Sequence, residues 1–291
     1  MDIGIVYFSG TGNTEILAEE IHDSMESQEH RTRLMEVEEI LHGQNSFHPA
    51  DYRVIGIGFP VHAMNPPRIT LDFIRDMPDS GFHQPVFLFA TAGGLSEGNK
   101  QALGVAARRL GTKGYRVLDA RYWFISSNWH SEYHEERVRQ AFPGIVAEVR
   151  SWTRELLRLA GEREDGEESA PGPSLPQPGA SSGLGGAILK LIPLWGRFFK
   201  AGPGCTRCGL CVSRCPKENI RMSRQGEISF GRDCAFCLRC AYACPNRAIS
   251  FPGSGSILVK GDYDVRETLQ DLHNRAYAAS AVQQLRDETE L

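Results

Sequence analysis

Along the first 160 residues, short apolar runs alternate with stretches in which apolar residues recur every three or four positions. The runs at residues 3–7, 32–36, 53–58, 85–90 and 116–124 predict strands. Helical spacing follows most of them, at residues 14–25, 67–76, 99–110 and 135–159. Such alternation predicts an α/β fold, a five-stranded doubly wound parallel sheet with helices on both faces. Ligands of these sheets sit at the carboxyl ends of the strands. The turns rich in Gly, Pro and hydroxyls fall there, at residues 9–13, 60–66, 91–98 and 126–130.

After residue 160 the pattern breaks. Residues 161–183 are rich in Pro, Gly, Ser and acids without apolar periodicity, which predicts a flexible linker. Residues 184–200 form an amphipathic connecting segment. Lys190, Pro193 and Arg197 interrupt it, and it is too short to span a bilayer. It either packs against its own domains or lies on a membrane surface as a peripheral contact. Residues 201–254 hold all eight cysteines in a small domain of their own, and residues 255–291 read as a polar helical tail.

Composition changes this picture little: 41% apolar and 23% charged residues describe a globular protein. Charge distribution says more. Between Lys190 and Ser250 eleven lysines and arginines face only Glu218, Glu227 and Asp233, while the remainder carries 21 basic and 33 acidic residues. The chain opens on an apolar strand pattern with no secretory signal, so a cytoplasmic, reducing setting is expected. There, cysteines serve as metal ligands or redox thiols.

The cysteines obey C-x2-C-x2-C-x3-C-P twice: Cys205, Cys208, Cys211, Cys215 and Cys234, Cys237, Cys240, Cys244, with Pro216 and Pro245 after them. The flanking sequences repeat as well, CTRCGLCVSRCPKENI against CAFCLRCAYACPNRAI. Two-residue gaps let one tight loop offer three thiolates to the corners of a cubane iron–sulfur cluster. Structural zinc sites more often use paired C-x2-C knuckles. Over about 50 residues the segment resembles the bacterial two-cluster ferredoxins. That resemblance implies two [4Fe–4S] clusters with crossed ligand sets: Cys205, Cys208, Cys211 and Cys244 for one, Cys234, Cys237, Cys240 and Cys215 for the other. Arg207, Arg214, Arg232, Arg239 and Arg247 lie around them. They either partly neutralise the clusters or dock an acidic redox partner.

The first strand leads into YFSGTGNTE, a phosphate-cradle pattern that lacks the lysine of the G-x4-GK[ST] loop and is not G-x-G-x-x-G. Backbone amides and the hydroxyls of Ser9, Thr11 and Thr14 suit a terminal monophosphate. Ser9, Gly10, Thr11, Gly12, Asn13 and Thr14 resemble the FMN-phosphate loop of flavodoxins. The resemblance implies that Pro60, Val61, His62, Ala63 and Met64, then Thr91, Ala92, Gly93, Gly94 and Asn99, and finally Asn128, surround the flavin ring. The whole order is similar to a ferredoxin family with a flavodoxin-like N-terminal domain. That family's Pro-x-His-Ala-x-Asn-x-Pro loop matches residues 60–67, whereas residues 125–128 keep only Asn128 of its corresponding stretch.

These readings lead to an electron-transfer protein relaying electrons between FMN and two [4Fe–4S] clusters, to or from a redox partner protein. The alternative is a flavin-dependent oxidoreductase that reduces a small molecule such as a quinone. No Ser-His-Asp order, paired-carboxylate site or aromatic-studded basic groove points to hydrolysis or nucleic-acid binding.

Overall fold

The computed structural model describes residues 1–94, 96–129, 135–161, 173–259 and 263–269. Its N-terminal part runs β1 (Asp2–Tyr7), α1 (Asn13–Glu26), β2 (Arg31–Glu36), α2 (Val37–Leu41), β3 (Val54–Pro60), α3 (Arg68–Asp76), β4 (Pro85–Ala92), α4 (Gln101–Thr112), β5 (Arg116–Phe124) and α5 (Glu135–Gly161). The five strands are all parallel, in the order β2-β1-β3-β4-β5. This is the flavodoxin-like doubly wound order. The expected strands and helices recur with ends displaced by at most two residues. The short α2 is additional, its five residues being too few to show a helical period.

Burial explains the order. β1, β3 and β4 are apolar almost throughout and lie covered on both faces, whereas β2 and β5 alternate and form the edges. Glycines in β3 admit the rings of β4: a Cβ on Gly56 or Gly58 would stand 2.3 or 2.1 Å from Phe87 or Phe89. Because β1 leads outward to β2 while β3 continues on its other side, the loops after β1 and β3 diverge and leave a crevice between them.

Residues 173–179 run extended along α4, kept so by Pro173, Pro176 and Pro178. Gly179 N–H donates to Gln101 Oε1 (3.2 Å), and Arg108 donates to Gln177 Oε1 (2.8 Å). The helix α6 (Ala180–Trp195) therefore begins inside the stretch expected to be linker. It leans on the loop after β3: Asn65 Nδ2 donates to the Ser182 carbonyl (2.9 Å). Only a glycine fits at 185, where a Cβ would stand 1.9 Å from the Ala63 carbonyl oxygen.

The cysteine segment contains β6 (Lys200–Ala201), α7 (Leu210–Ser213), β7 (Ile220–Met222), β8 (Ile228–Phe230), α8 (Arg239–Tyr242), β9 (Ile249–Ser250) and α9 (Ser254–Ile257). β6 pairs antiparallel with β9, and β7 with β8. Its small core gathers Phe199, Phe236, Leu238, Ile249 and Phe251. Of the expected tail, residues 265–269 are helical, while residues 270–291 lie outside the described residues, as does His130.

Candidate functional site

The crevice is formed where Gly12, at φ +95°, caps α1 and turns the chain out of β1. Gly12 N–H donates to Ser9 Oγ (3.1 Å), and Asn128 Nδ2 donates to Thr11 Oγ1 (3.1 Å). Both hydroxyl protons stay available to an incoming oxygen. Thr14 Oγ1 and Thr91 Oγ1 share a buried hydrogen bond of 2.7 Å that ties the loop to the end of β4. Thr14→Val is expected to strand the Thr91 hydroxyl and cost about 1–3 kcal/mol. Thermal unfolding checks this, with the Thr14→Val/Thr91→Val double variant regaining part of the loss.

A cavity of about 420 Å³ opens over this loop, within the range of cofactor sites. Ser9, Gly10, Thr11, Asn13, Thr14, Pro60, Val61, His62, Ala63, Thr91, Ala92, Gly93, Gly94, Asn99 and Asn128 all line it. Gly12 shapes the loop from behind. Met64 instead reaches toward Gly98, where its sulfur would lie 3.3 Å from an added Cβ. No Lys or Arg lines the cavity. An anion there is met by amides, hydroxyls and the N-terminus of α1, which suits a monophosphate. His62 is pushed down to about 4 by burial, so its imidazole is neutral near pH 7.

The residues that sequence reading did not place here come from elsewhere in the chain. Ile188 and Ile192 project from α6, and Phe236 and Cys237 belong to the second cysteine motif, while Ser126, Ser127 and Trp129 come from the turn after β5 that the sequence already set at the strand ends. Ala235 and Cys237 pack into the same core as Val6, Phe8 and Ile57. A Cβ on Gly10 would meet the Cys237 carbonyl oxygen at 2.6 Å. The second motif therefore sits directly on the phosphate loop.

Arg239 fastens the two parts. Its guanidinium donates to the Ser9 carbonyl, pairs with Glu38 at 2.6 Å and with Glu36 at 3.8 Å, and lies over the Phe8 ring. Further ion pairs join Lys217 to Asp72 (3.4 Å) and Arg68 to Asp233 (3.7 Å), and Tyr242 donates to the Asn128 carbonyl. From the tail, Tyr263 OH accepts from Asn13 Nδ2 (2.9 Å).

Burial, then hydrogen bonding to and repulsion from Glu38, raises Glu36 from its ordinary 4.5 to about 7. Between those values the folded chain binds a proton that the unfolded chain releases. Stability contributed at this site is thus present below about pH 4.5 and is lost as pH rises toward 7. Glu36→Gln is expected to flatten that slope in thermal unfolding, by a modest amount because Glu36 is about one-third exposed.

The cysteine motifs repeat in backbone as well as sequence. Arg207 and Phe236 (φ 59° and 51°), Gly209 and Leu238 (78° and 62°), and Glu218 and Arg247 (47° and 47°) take the left-handed conformation at matching positions. Each turn aims an amide at sulfur: Arg207 N–H at Cys205 Sγ and Phe236 N–H at Cys234 Sγ, then Asn219 N–H at Cys215 Sγ and Ala248 N–H at Cys244 Sγ, all 3.3–3.4 Å. Such N–H···S bonds favour thiolates and the metal-bound state. Left-handed backbone at non-glycine residues is costly, and its recurrence marks a conformation imposed for this purpose.

Cys215 stands with Cys234, Cys237 and Cys240 around one small gap. In the other set, burial first and then the nearness of Cys205 and Cys208 raise Cys211 above the ordinary thiol value. Burial pushes Cys234 up to about 12 and Cys237 up to about 11, so both stay protonated near pH 7 unless a bound cationic group takes the place of the proton. Among the described residues no three His, Cys, Asp or Glu side chains close on a single-ion site. Four sulfurs around one gap suit the corners of a cubane cluster.

Residues 204–249 match the family model of the 4Fe-4S dicluster domain. A flavodoxin-like fold is joined here to a segment that matches an iron–sulfur dicluster model. No curated protein matches it. Similar solved structures include a short-chain flavodoxin associated with a non-canonical PDU bacterial microcompartment, at 15% identity over 55% of this chain and 99% of that one, with a TM-score of 0.41. Oxidised flavodoxin 2 from Bacillus cereus gives 20% identity, 54% and 99% coverage and a TM-score of 0.41. Rubredoxin oxygen:oxidoreductase from Desulfovibrio gigas gives 15%, 55% and 36%, and 0.40. Among the described residues no helix is long and apolar enough to cross a membrane.

Proposed function

We propose that this chain is an electron carrier in which FMN and two [4Fe–4S] clusters connect to a redox partner protein. FMN, when bound, exchanges electrons singly or in pairs, whereas each cluster exchanges one at a time. The observation that carries the reading is the shared wall. Phe236 and Cys237 line the flavin-sized cavity, and Cys237 also belongs to the thiol set around the second gap.

Ser9, Thr11 and the amides around Gly12 hold the phosphate, and His62, Gly93, Gly94 and Asn99 border the ring. Neutral His62 leaves the pocket without a fixed positive charge. Cys215, Cys234, Cys237 and Cys240 hold the inner cluster, and Cys205, Cys208, Cys211 and Cys244 the outer one. The two motifs differ in burial: Ala235, Phe236, Cys237 and Leu238 are buried, whereas Thr206, Arg207, Cys208 and Leu210 are exposed. That asymmetry supports a partner meeting the chain at the first motif. Exposed Arg207 and Arg214 there would favour an acidic docking face.

An anaerobic reductive titration of the cluster-loaded protein with FMN, following flavin absorbance and cluster EPR together, tests the reading. Reversible reduction of all three centres is expected. Failure to retain FMN, or clusters that never reduce, would sink it. Turnover with one small acceptor far above generic dye reduction would move the assignment to a substrate-reducing enzyme.

A further inference from the structure

Helix α6 is apolar on both sides. Its inner side is committed: Gly185, Leu189 and Pro193 are buried, and Ile192 faces the cofactor cavity. Leu184, Ile188, Leu191, Leu194 and Trp195 lie on the opposite arc, joined by Phe198 just beyond the helix, and all six are exposed. They make up six of the ten exposed large hydrophobic residues among those described, within fifteen consecutive positions. Helices apolar all round are normally covered on every side, and contiguous apolar patches mark contact surfaces.

Charge says what covers this one. Lys190, Arg197 and Lys200 are exposed beside the stripe, and no acidic residue occurs from Ser169 to Lys217. Lys190 stands on the flank next to Leu194, and Arg197 packs over the Phe198 ring at 4.6 Å. A second copy joined face to face would bring three more cations and no acid to the shared surface. A protein partner needs hydrogen bonds in its contact, about one per 100–200 Å². From Leu184 to Phe198, however, Lys190 and Arg197 are the only charged side chains, and the Trp195 indole N–H is the only other polar side-chain group. Acyl chains ask for no hydrogen bonds, and anionic headgroups pair with the cations.

We propose that the outer face of α6, continued through Phe198 to Lys200, docks on an anionic lipid surface. Trp195 and Phe198 enter the headgroup and acyl boundary, while Lys190, Arg197 and Lys200 meet the lipid phosphates. Ile188 belongs both to the stripe and to the cavity rim, so docking holds the cavity mouth at the lipid surface. The proposal does not depend on the electron-carrier reading.

The test is flotation of the full-length, cofactor-loaded protein with phosphatidylcholine vesicles, with and without roughly one-quarter phosphatidylglycerol. Binding to the anionic vesicles only, weakening with added salt, is expected. Leu191→Glu/Leu194→Glu and Lys190→Glu/Arg197→Glu should each weaken it by at least about tenfold, with flavin absorbance and cluster EPR unchanged. Trp195→Phe should keep flotation while losing the vesicle-induced blue shift in tryptophan emission. The other three tryptophans are Trp123 and Trp152, which are buried, and Trp129, which packs on Phe236. No flotation with anionic vesicles, or flotation unaffected by the paired substitutions, overturns the proposal. So does a dimer in sedimentation equilibrium that Leu191→Glu/Leu194→Glu converts to monomer, since a second copy then covers the face. Loss of flavin or clusters with intact flotation would count against the electron-carrier reading alone.

Discussion

Cys215→Ser and Cys237→Ser are expected to remove the same cluster, although they lie in different motifs. Cys215 closes the first C-x2-C-x2-C-x3-C run in sequence, yet in space it borders the gap with Cys234, Cys237 and Cys240. Its sulfur accepts from Asn219 N–H, as Cys244 accepts from Ala248 N–H in the second motif. If the sets cross in this way, either substitution halves the iron content and abolishes the EPR signal of the cluster beside the flavin cavity. Cys208→Ser should also halve the iron, but at the outer cluster, and should leave electron exchange between flavin and inner cluster in place. Uncrossed sets would pair the effects differently, Cys215→Ser then behaving as Cys208→Ser does. Iron analysis combined with the flavin-linked reduction rate separates the two patterns. The effect is large because a four-thiolate site left with three ligands exposes iron to water and to loss.

The sheet was legible because its signal is local. Residues 54–60 and 85–92 lie in covered strands, so apolar runs, turn residues and helical spacing all agreed there. The loop from Ser9 to Thr14 was legible for a related reason: glycines and hydroxyls between a strand and a helix have few other uses. The far wall of the cavity was not. Arg239 donates to Ser9 across 230 positions and Tyr263 bonds Asn13 across 250, and no periodicity records such distances. One signal did exist in the departure of the two repeats from each other. Thr206 and Arg207 become Ala235 and Phe236 in the second motif and Gly209 becomes Leu238, a gain of apolar side chains around a cluster, while Leu210 becomes Arg239. An apolar surface at that place implies a cover: Ala235 packs into the core of the flavodoxin-like domain and Phe236 meets Trp129 after β5, while Leu238 fills the small domain's own core. Ile188 and Ile192 were harder to place, because α6 is apolar on every side and its pattern names no inner face.

Gly10→Ala is expected to uncouple the two halves without dismantling either. The added methyl would stand 2.6 Å from the Cys237 carbonyl oxygen and 3.2 Å from its Cβ. Backbone of a cluster-holding loop cannot yield as the tip of a flexible side chain does. The phosphate loop is equally fixed, by Arg239 on the Ser9 carbonyl and by Gly12 N–H on Ser9 Oγ. Separation of the second motif from the phosphate loop is therefore the least costly relief, opening the cavity along its Phe236–Cys237 wall. FMN affinity should fall by at least about tenfold, some 1.4 kcal/mol, and electron exchange between flavin and clusters should slow, while iron content stays at the level of the unaltered chain. Gly12→Ala is the informative contrast. At φ +95° it is strained by about 1–2 kcal/mol, but no atom lies within 4 Å of its new methyl. It should weaken FMN binding through the loop alone and leave the exchange rate of the flavin-loaded fraction unchanged. Equal losses of exchange rate in both variants would mean that the Gly10–Cys237 contact is not what couples the two sites. A rate lost only in Gly10→Ala would place the coupling at that contact, where a glycine is the one residue that lets the phosphate loop and the cluster loop touch.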